Sequence, residues 1–269
     1  DSMQIYNEIS ILTSKPKSED IKIVKHHLYG FRSVKEKFST GQWLKIASKK
    51  IKELWNNKKT PIVVGGTGLY FKALTDGLVK IPDIPENIRK ETRILHNKLG
   101  QKLFFKQLVL LDSLAEKFVL PTDAQRSMRA YEVKKYTNIS LFELIKDTKS
   151  NFNDEIFKKI FINIPKELLH ERIESRIDVM FREGVVEEVR SFYKMRVHKE
   201  LSSNKIIGLQ EIKSFLNKKL TLIDTKELIA QKTRQYAKRQ LTWARGHMKS
   251  WEVIDSLNIN DLLKKTINK

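Results

Sequence analysis

Along residues 40–58, TGQWLKIASKKIKELWNNK, the apolar positions Trp43, Leu44, Ile46, Ala47, Ile51, Leu54 and Trp55 recur near a 3.6-residue period. Lysines fill much of the space between them, so this spacing predicts an amphipathic helix. The pattern then changes. Ile62, Val63 and Val64 form a continuous β-branched run, which predicts a strand over 61–64 buried in a parallel sheet. The run stops at Gly65-Gly66-Thr67-Gly68, and helical spacing resumes from about 67 to 76. A helix leading into a strand that turns sharply into another helix is a βα unit of a parallel sheet.

From Val79 the character changes again. Pro82 and Pro85 precede a run of helical patterns reaching about Lys149, with Thr122 or Asp123 as the N-cap of a helix inside it. At 158–165 the strand formers Ile160, Phe161, Ile162 and Ile164 predict a return to the sheet, stopped by Pro165. Leu169, Ile173, Ile177 and Met180 then share one helix face, with Gly184 as its terminator. The expected architecture is α/β, a parallel sheet flanked by helices. The core domain comprises 1–79 and 151–269, and 80–150 is a helical insertion.

Charge adds a partner. The chain has 269 residues, 52 of them Lys or Arg against 32 Asp or Glu, for a net +20. So basic a protein is expected to meet a polyanion, although solvated lysine faces could account for part of the excess. There is no cysteine, which removes disulfides and thiolate metal sites. No apolar run approaches the ~18 residues of a membrane span. The opening residues, DSMQIYNEIS, show neither the basic nor the apolar region of a signal peptide. No membrane partner and a cytoplasmic location are expected.

Four stretches carry candidate chemistry. The glycine turn lets backbone amides approach an anion at a helix N-terminus, with the Thr67 hydroxyl beside it; a tight strand-to-helix turn needs the same residues. In QKTRQYAKRQLTWARGHMKSW, a helix of 100° per residue brings Arg234, Lys238, Arg245 and Lys249 within roughly 80° of one another. Tyr236, Trp243 and His247 lie opposite. Such a stripe suits backbone phosphates. In DAQRSMR, Asp123, Gln125, Arg126 and Arg129 offer groups for unpaired bases or phosphates. In DSMQIY, Asp1 beside Ser2 and Gln4 is a candidate general base. His26-His27 lacks the ligand set of a metal site.

Taken in order, these stretches resemble the bacterial tRNA dimethylallyltransferases, also called tRNA isopentenyltransferases. The family pattern D-S-x-Q-V/I-Y stands here as Asp1 to Tyr6, and T-x-K-P as Thr13 to Pro16. V-G-G-T-G-L-Y runs unbroken from Val64 to Tyr70, and Ile88-Arg89 follows the proline break. N-D-x-Q-R-x-x-R-A-x-E-V is matched by Asp123, Gln125, Arg126, Arg129, Ala130, Glu132 and Val133, with Thr122 in place of Asn. T-R-x-Y-A-K-R-Q-x-T-W is matched from Thr233 to Trp243. Departures are Ser10-Ile11-Leu12-Thr13 for D-I-G-T, and Leu209 for the Tyr of G-Y-K/R-E.

The resemblance implies a P-loop NTPase-like fold and transfer of a dimethylallyl group from its diphosphate to N6 of tRNA adenosine 37, for tRNAs reading codons that begin with U. It implies Asp1 as the base and Thr67 as a second catalytic residue, with Thr67 and Lys205 on the diphosphate. The implied tRNA contacts are Asp1, Ser2, Met3, Gln4, Thr67, Arg89, Gln125, Arg126, Ser127, Met128 and Arg129, and further along Arg234, Lys238, Arg239, Gln240, Trp243 and Arg245. Magnesium is implied as cofactor with no ligand named, and a monomer is expected. The glycine turn lacks the lysine of G-x-x-x-x-G-K-S/T. In the family that loop lies upstream of D-S-x-Q, so the first strand, P-loop and second strand, on the order of 30–40 residues, are expected to be missing from this sequence. The chain alone is then expected to be inactive and to aggregate or keep only its insertion folded. Two alternatives are a non-catalytic tRNA-binding remnant and a P-loop kinase relative acting on a small molecule.

Overall fold

The computed structural model describes residues 1–255. In chain order the elements are α1 (Ser18–Ile23), α2 (Thr40–Asn56), α3 (Gly68–Thr75), α4 (Glu86–Leu111), α5 (Leu114–Phe118), α6 (Ala124–Thr137), α7 (Leu141–Lys146), β1 (Ile160–Ile162), α8 (Lys166–Arg182), α9 (Val185–Lys194), α10 (Leu209–Leu216), α11 (Leu222–His247) and β2 (Glu252–Ile254). They fall into two compact units. One joins Asp1–Lys72 to the chain from Glu155 onward; the other is Ala73–Asp154.

The first unit is mixed α/β. β1 and β2 pair in parallel, with Ile160 opposite Glu252 and Ile162 opposite Ile254. Parallel neighbours need a long crossover, and α8 to α11 provide it. The strand expected over 61–64 is not formed. Among the described residues this run has no ladder partner, and Ile62 and Val64 are 84% and 67% exposed. β-branched residues favour a strand only where neighbouring strands supply hydrogen bonds and side-chain contacts. β2 was not anticipated.

The core of this unit lies between α8–α11 and the opening segment. Ile5, Tyr6, Ile9 and Leu12 pack with Ile173 and Ile177 of α8, Val189 and Phe192 of α9, Ile212 of α10 and Ile229 of α11. Gly184, at φ +92°, follows the C-cap of α8 and opens α9. Leu209, where the resemblance led us to expect a tyrosine, is fully buried in this core. The substitution therefore sits at a packing position. Ser39 and Gln42 form a capping box on α2, which buries Trp43, Leu44, Ala47 and Ile51 but leaves Trp55 exposed. Trp43 stacks on Tyr70 of α3, with ring centroids 4.2 Å apart. Burial pushes the Tyr70 hydroxyl up to about 12.

The second unit is helical. Phe105, Leu108, Ala115, Val119, Ala130 and Phe142 form its core. The buried Asp112 carboxylate accepts from Ser140 Oγ at 2.8 Å. Asp123 caps α6 by accepting from Arg126 N at 2.9 Å. The two ends of the unit are tied together: Ser150 Oγ donates to Leu74 O at 2.8 Å, and Gly77 lies against the Lys149 carbonyl.

Candidate functional site

Two segments far apart in sequence converge on the glycine turn of the first unit. A Cβ on Gly65 would sit 3.0 Å from Asp1 N. On Gly66 it would collide with the Gln240 amide, and on Gly68 with the Trp243 ring. The glycines thus admit Asp1 from one side and α11 from another. Thr67 stands between them. Its Oγ1 accepts from Ser2 N at 2.9 Å and lies 3.3 Å from Asp1 Oδ2 and 3.0 Å from Ser2 Oγ. Its one proton donates to one of these oxygens at a time. Asp1 Oδ1 accepts from Met3 N at 2.9 Å, and Oδ2 is held when Thr67 turns its proton to it. Gln240 Nε2 donates to Gly66 O at 2.9 Å across 174 positions.

Other residues have duties that their motifs did not reveal. Gln4 Nε2 donates to Thr13 O and Ser14 O, at 3.0 and 2.8 Å. Lys15 Nζ donates to Tyr6 O and Asn7 O, at 2.9 and 2.8 Å, and burial lowers its pKa. D-S-x-Q and T-x-K-P therefore brace each other. Sequence reasoning missed Glu188. Its carboxylate accepts from Ser10 N, Ile11 N and Leu12 N, at 2.5, 2.8 and 3.0 Å, and Arg176 Nη2 donates to Leu12 O at 2.9 Å. The amides of the loop that departs from D-I-G-T close around this glutamate. A separation of more than 170 positions left no local signal. An open cleft of about 900 Å³ borders this region, lined by Gln4, Lys15, Ile21, Tyr29, Val64 and Arg176.

On α11 the expected stripe divides. Arg234 is committed within the protein, to Glu227 at 2.6 Å and Glu174 at 3.3 Å. Lys238, Arg239 and Arg245 are exposed, with the Arg239 guanidinium 5.7 Å from the Tyr236 ring centre. Lys249 lies beyond the end of the helix. Trp243 rests over Gly68 and stacks on His247, centroids 4.4 Å apart. Lys205 is exposed on a 3₁₀ turn, Ser202–Lys205.

In the second unit, Gln125 and Arg126 at the start of α6 are exposed, Met128 and Arg129 are half-buried, and Arg129 lies 3.4 Å from Glu132. Ser127 is fully buried, and its hydroxyl donates to Asp123 O at 2.7 Å. Its hydroxyl is thus engaged within the first turn of α6. Arg89 Nε is shielded from solvent and has no hydrogen-bond partner among the described residues. A buried orphan donor is costly, and a ligand acceptor would relieve it.

For magnesium, no three His, Cys, Asp or Glu gather among the described residues. Asp1 and Thr67 offer hard oxygens, but both are engaged with each other and with the Ser2–Met3 backbone. This donor set does not fit an ion held by the described residues alone. No helix among them is long and apolar enough to cross a membrane.

Comparison with known proteins gives the family. The IPP transferase family profile matches residues 4–247. A tRNA dimethylallyltransferase of Pelagibacter ubique is 49% identical over 98% of this chain and 85% of its own length. The crystal structure of tRNA isopentenylpyrophosphate transferase from Bacillus halodurans aligns over 100% of this chain and 84% of its own, with TM-score 0.68 and 28% identity. A eukaryotic dimethylallyltransferase acting on tRNA shares the fold at TM-score 0.80 and 23% identity, over 100% of this chain and 69% of that one. With Asp1, Thr67 and Gln240 gathered on one glycine turn and the profile spanning nearly the whole sequence, the chain belongs to the IPP transferase family of tRNA dimethylallyltransferases.

Proposed function

We propose that this protein transfers the dimethylallyl group of dimethylallyl diphosphate to N6 of adenosine 37 in tRNAs that read codons beginning with U, the target base leaving the anticodon stack to reach the site. The observation that carries this reading is the Asp1–Thr67 pair on the glycine turn, 3.3 Å apart across 66 positions. In the reaction, the N6 lone pair forms a bond to the allylic carbon. The carbon–oxygen bond breaks, and its electron pair leaves with the diphosphate. The N6 proton passes to a carboxylate, which is Asp1. The Met3 amide and the Thr67 hydroxyl orient that carboxylate. In this reading Thr67 acts first on the base; the resemblance implied contacts to the diphosphate and to tRNA. We assign Lys238, Arg239, Arg245, Arg89, Gln125, Arg126 and Arg129 to the tRNA, and we take the working protein to be a cytoplasmic monomer. The direct test is transfer of a labelled dimethylallyl group to tRNA by the full-length protein. No label on N6 would refute the reading.

Two expectations follow from the site. Thr67→Val keeps the shape but removes the hydroxyl that steadies Asp1 and Ser2. Single-turnover prenyl transfer should fall by roughly ten- to a hundredfold, the worth of a hydrogen bond to a charged group, while Thr67→Ser stays close to the parent. Equal rates for Val and Ser would detach Thr67 from the base. For the RNA, replacing Lys238 and Arg245 together with alanine should lower the salt slope of tRNA binding by about two units. Arg234→Ala should change it by less than one, because its charge is already spent on Glu174 and Glu227. A larger loss from Arg234→Ala would reverse that division.

A further inference from the structure

Gly100 breaks α4 at φ 72° and ψ 164°. The residue after the break uses its whole side-chain amide. Gln101 Nε2 donates to Pro121 O at 2.7 Å and to Ser127 Oγ at 3.1 Å, and its Oε1 lies 3.0 Å from His96 Nε2. An amide oxygen only accepts, so His96 donates through Nε2. Ser127 gives its own proton to Asp123 O, which leaves its oxygen free to accept from Gln101. His96 stands edge-on to the fully buried Phe104, centroids 5.1 Å apart. One side chain thus links both sides of the helix break to the turn before α6 and to the first turn of that helix, whose N-terminal half carries Gln125, Arg126 and Arg129.

We infer that Gln101 is a positioning residue for tRNA. It sets where α6 begins, and so where the Gln125–Arg129 edge meets the anticodon stem-loop. This rests on the reading that α6 contacts tRNA. Local packing alone would leave the buried Ser127 oxygen and the Pro121 carbonyl to other partners. Gln101 instead joins them to each other and to His96, so a shift at the break is felt at α6.

The test uses the full-length enzyme with Gln101→Ala and the near-isosteric Gln101→Glu, which keeps an acceptor toward His96 but loses both donors. Each should raise the KM for tRNA about tenfold with kcat at saturating tRNA unchanged. Ser127→Ala should do the same, and the Gln101→Ala/Ser127→Ala double variant should cost less than the sum of the two. Arg126→Ala is measured alongside. If Arg126→Ala raises KM and the Gln101 variants do not, Gln101 is not a positioning residue. A fall in kcat and thermal midpoint without a change in KM would make its role purely structural and also overturn the proposal. If neither Arg126→Ala nor Arg129→Ala moves KM, the RNA reading of α6 fails, and the inference falls with it.

Discussion

Asp1→Asn in the full-length enzyme is expected to lower the single-turnover rate of prenyl transfer by about 10²–10⁴-fold, the range that a positioned base contributes. Tight tRNA binding should survive. The amide oxygen of asparagine can still accept from Met3 N, as Asp1 Oδ1 does at 2.9 Å. The amide nitrogen would face Thr67 Oγ1, which can turn its proton toward Ser2 Oγ at 3.0 Å. Shape and local hydrogen bonding are thus kept, while the capacity to take a proton from N6 is lost. The effect therefore falls on the chemical step and not on substrate affinity. Quench-flow with saturating tRNA and dimethylallyl diphosphate reads this directly. An Asn variant that transfers at the parental rate would remove Asp1 as the base and leave Thr67 and its neighbours as a structural cluster.

Gly77→Ala is expected to have the largest effect on stability. Gly77 sits at φ +97°, where an L side chain costs about 1–2 kcal/mol. The added Cβ would also meet the Lys149 carbonyl and its carbon, closer than real Cβ contacts come, and both are backbone. Neither end can yield cheaply, because Ser150 Oγ ties this segment to Leu74 O. Overpacking of this kind adds about 1–3 kcal/mol. For a unit of this size, each kcal/mol lowers the thermal midpoint by about 4–8 °C, so a fall of at least about 10 °C is expected. Gly100→Ala is the control. Its φ of +72° and ψ of 164° also demand glycine, at about 1–3 kcal/mol, but no atom lies within 4 Å of the new Cβ, so it should lose the backbone part alone and therefore less than Gly77→Ala. Equal losses at the two positions would show that φ alone matters and that the clasp between the two ends of the unit carries no strain.

Much of this was legible in the sequence. The 3.6-residue spacing placed α2 and α8 within a residue or two of where they lie, because burial of one apolar face forms an amphipathic helix whatever its neighbours do. Strand formers bounded by Pro165 marked β1 for a similar reason. The motifs brought Asp1, Thr67 and Gln240 forward together, since each needs a specific residue type. The run at 62–64 shows the limit of such reading. Its composition is that of a strand, yet among the described residues it forms none, because a strand is completed by its neighbours and not by its own side chains.

The positive charge, the helical faces, the ordered motifs and through them the family can all be read from the residues in order. These depend on composition and short spacing. How the polar groups are spent emerges from the packed chain. Arg234 and Lys238 look alike on a helical wheel, but Glu174 and Glu227 take up the first, and the second remains exposed. Gln4, Lys15 and Ser127 read as ligand contacts or plain motif letters, but they hold carbonyls of the protein itself. Glu188 carries no motif at all and still gathers three amides. A hydrogen bond or ion pair depends on which group lies within about 3 Å, and groups tens to hundreds of residues apart are brought to that distance only by the packed core.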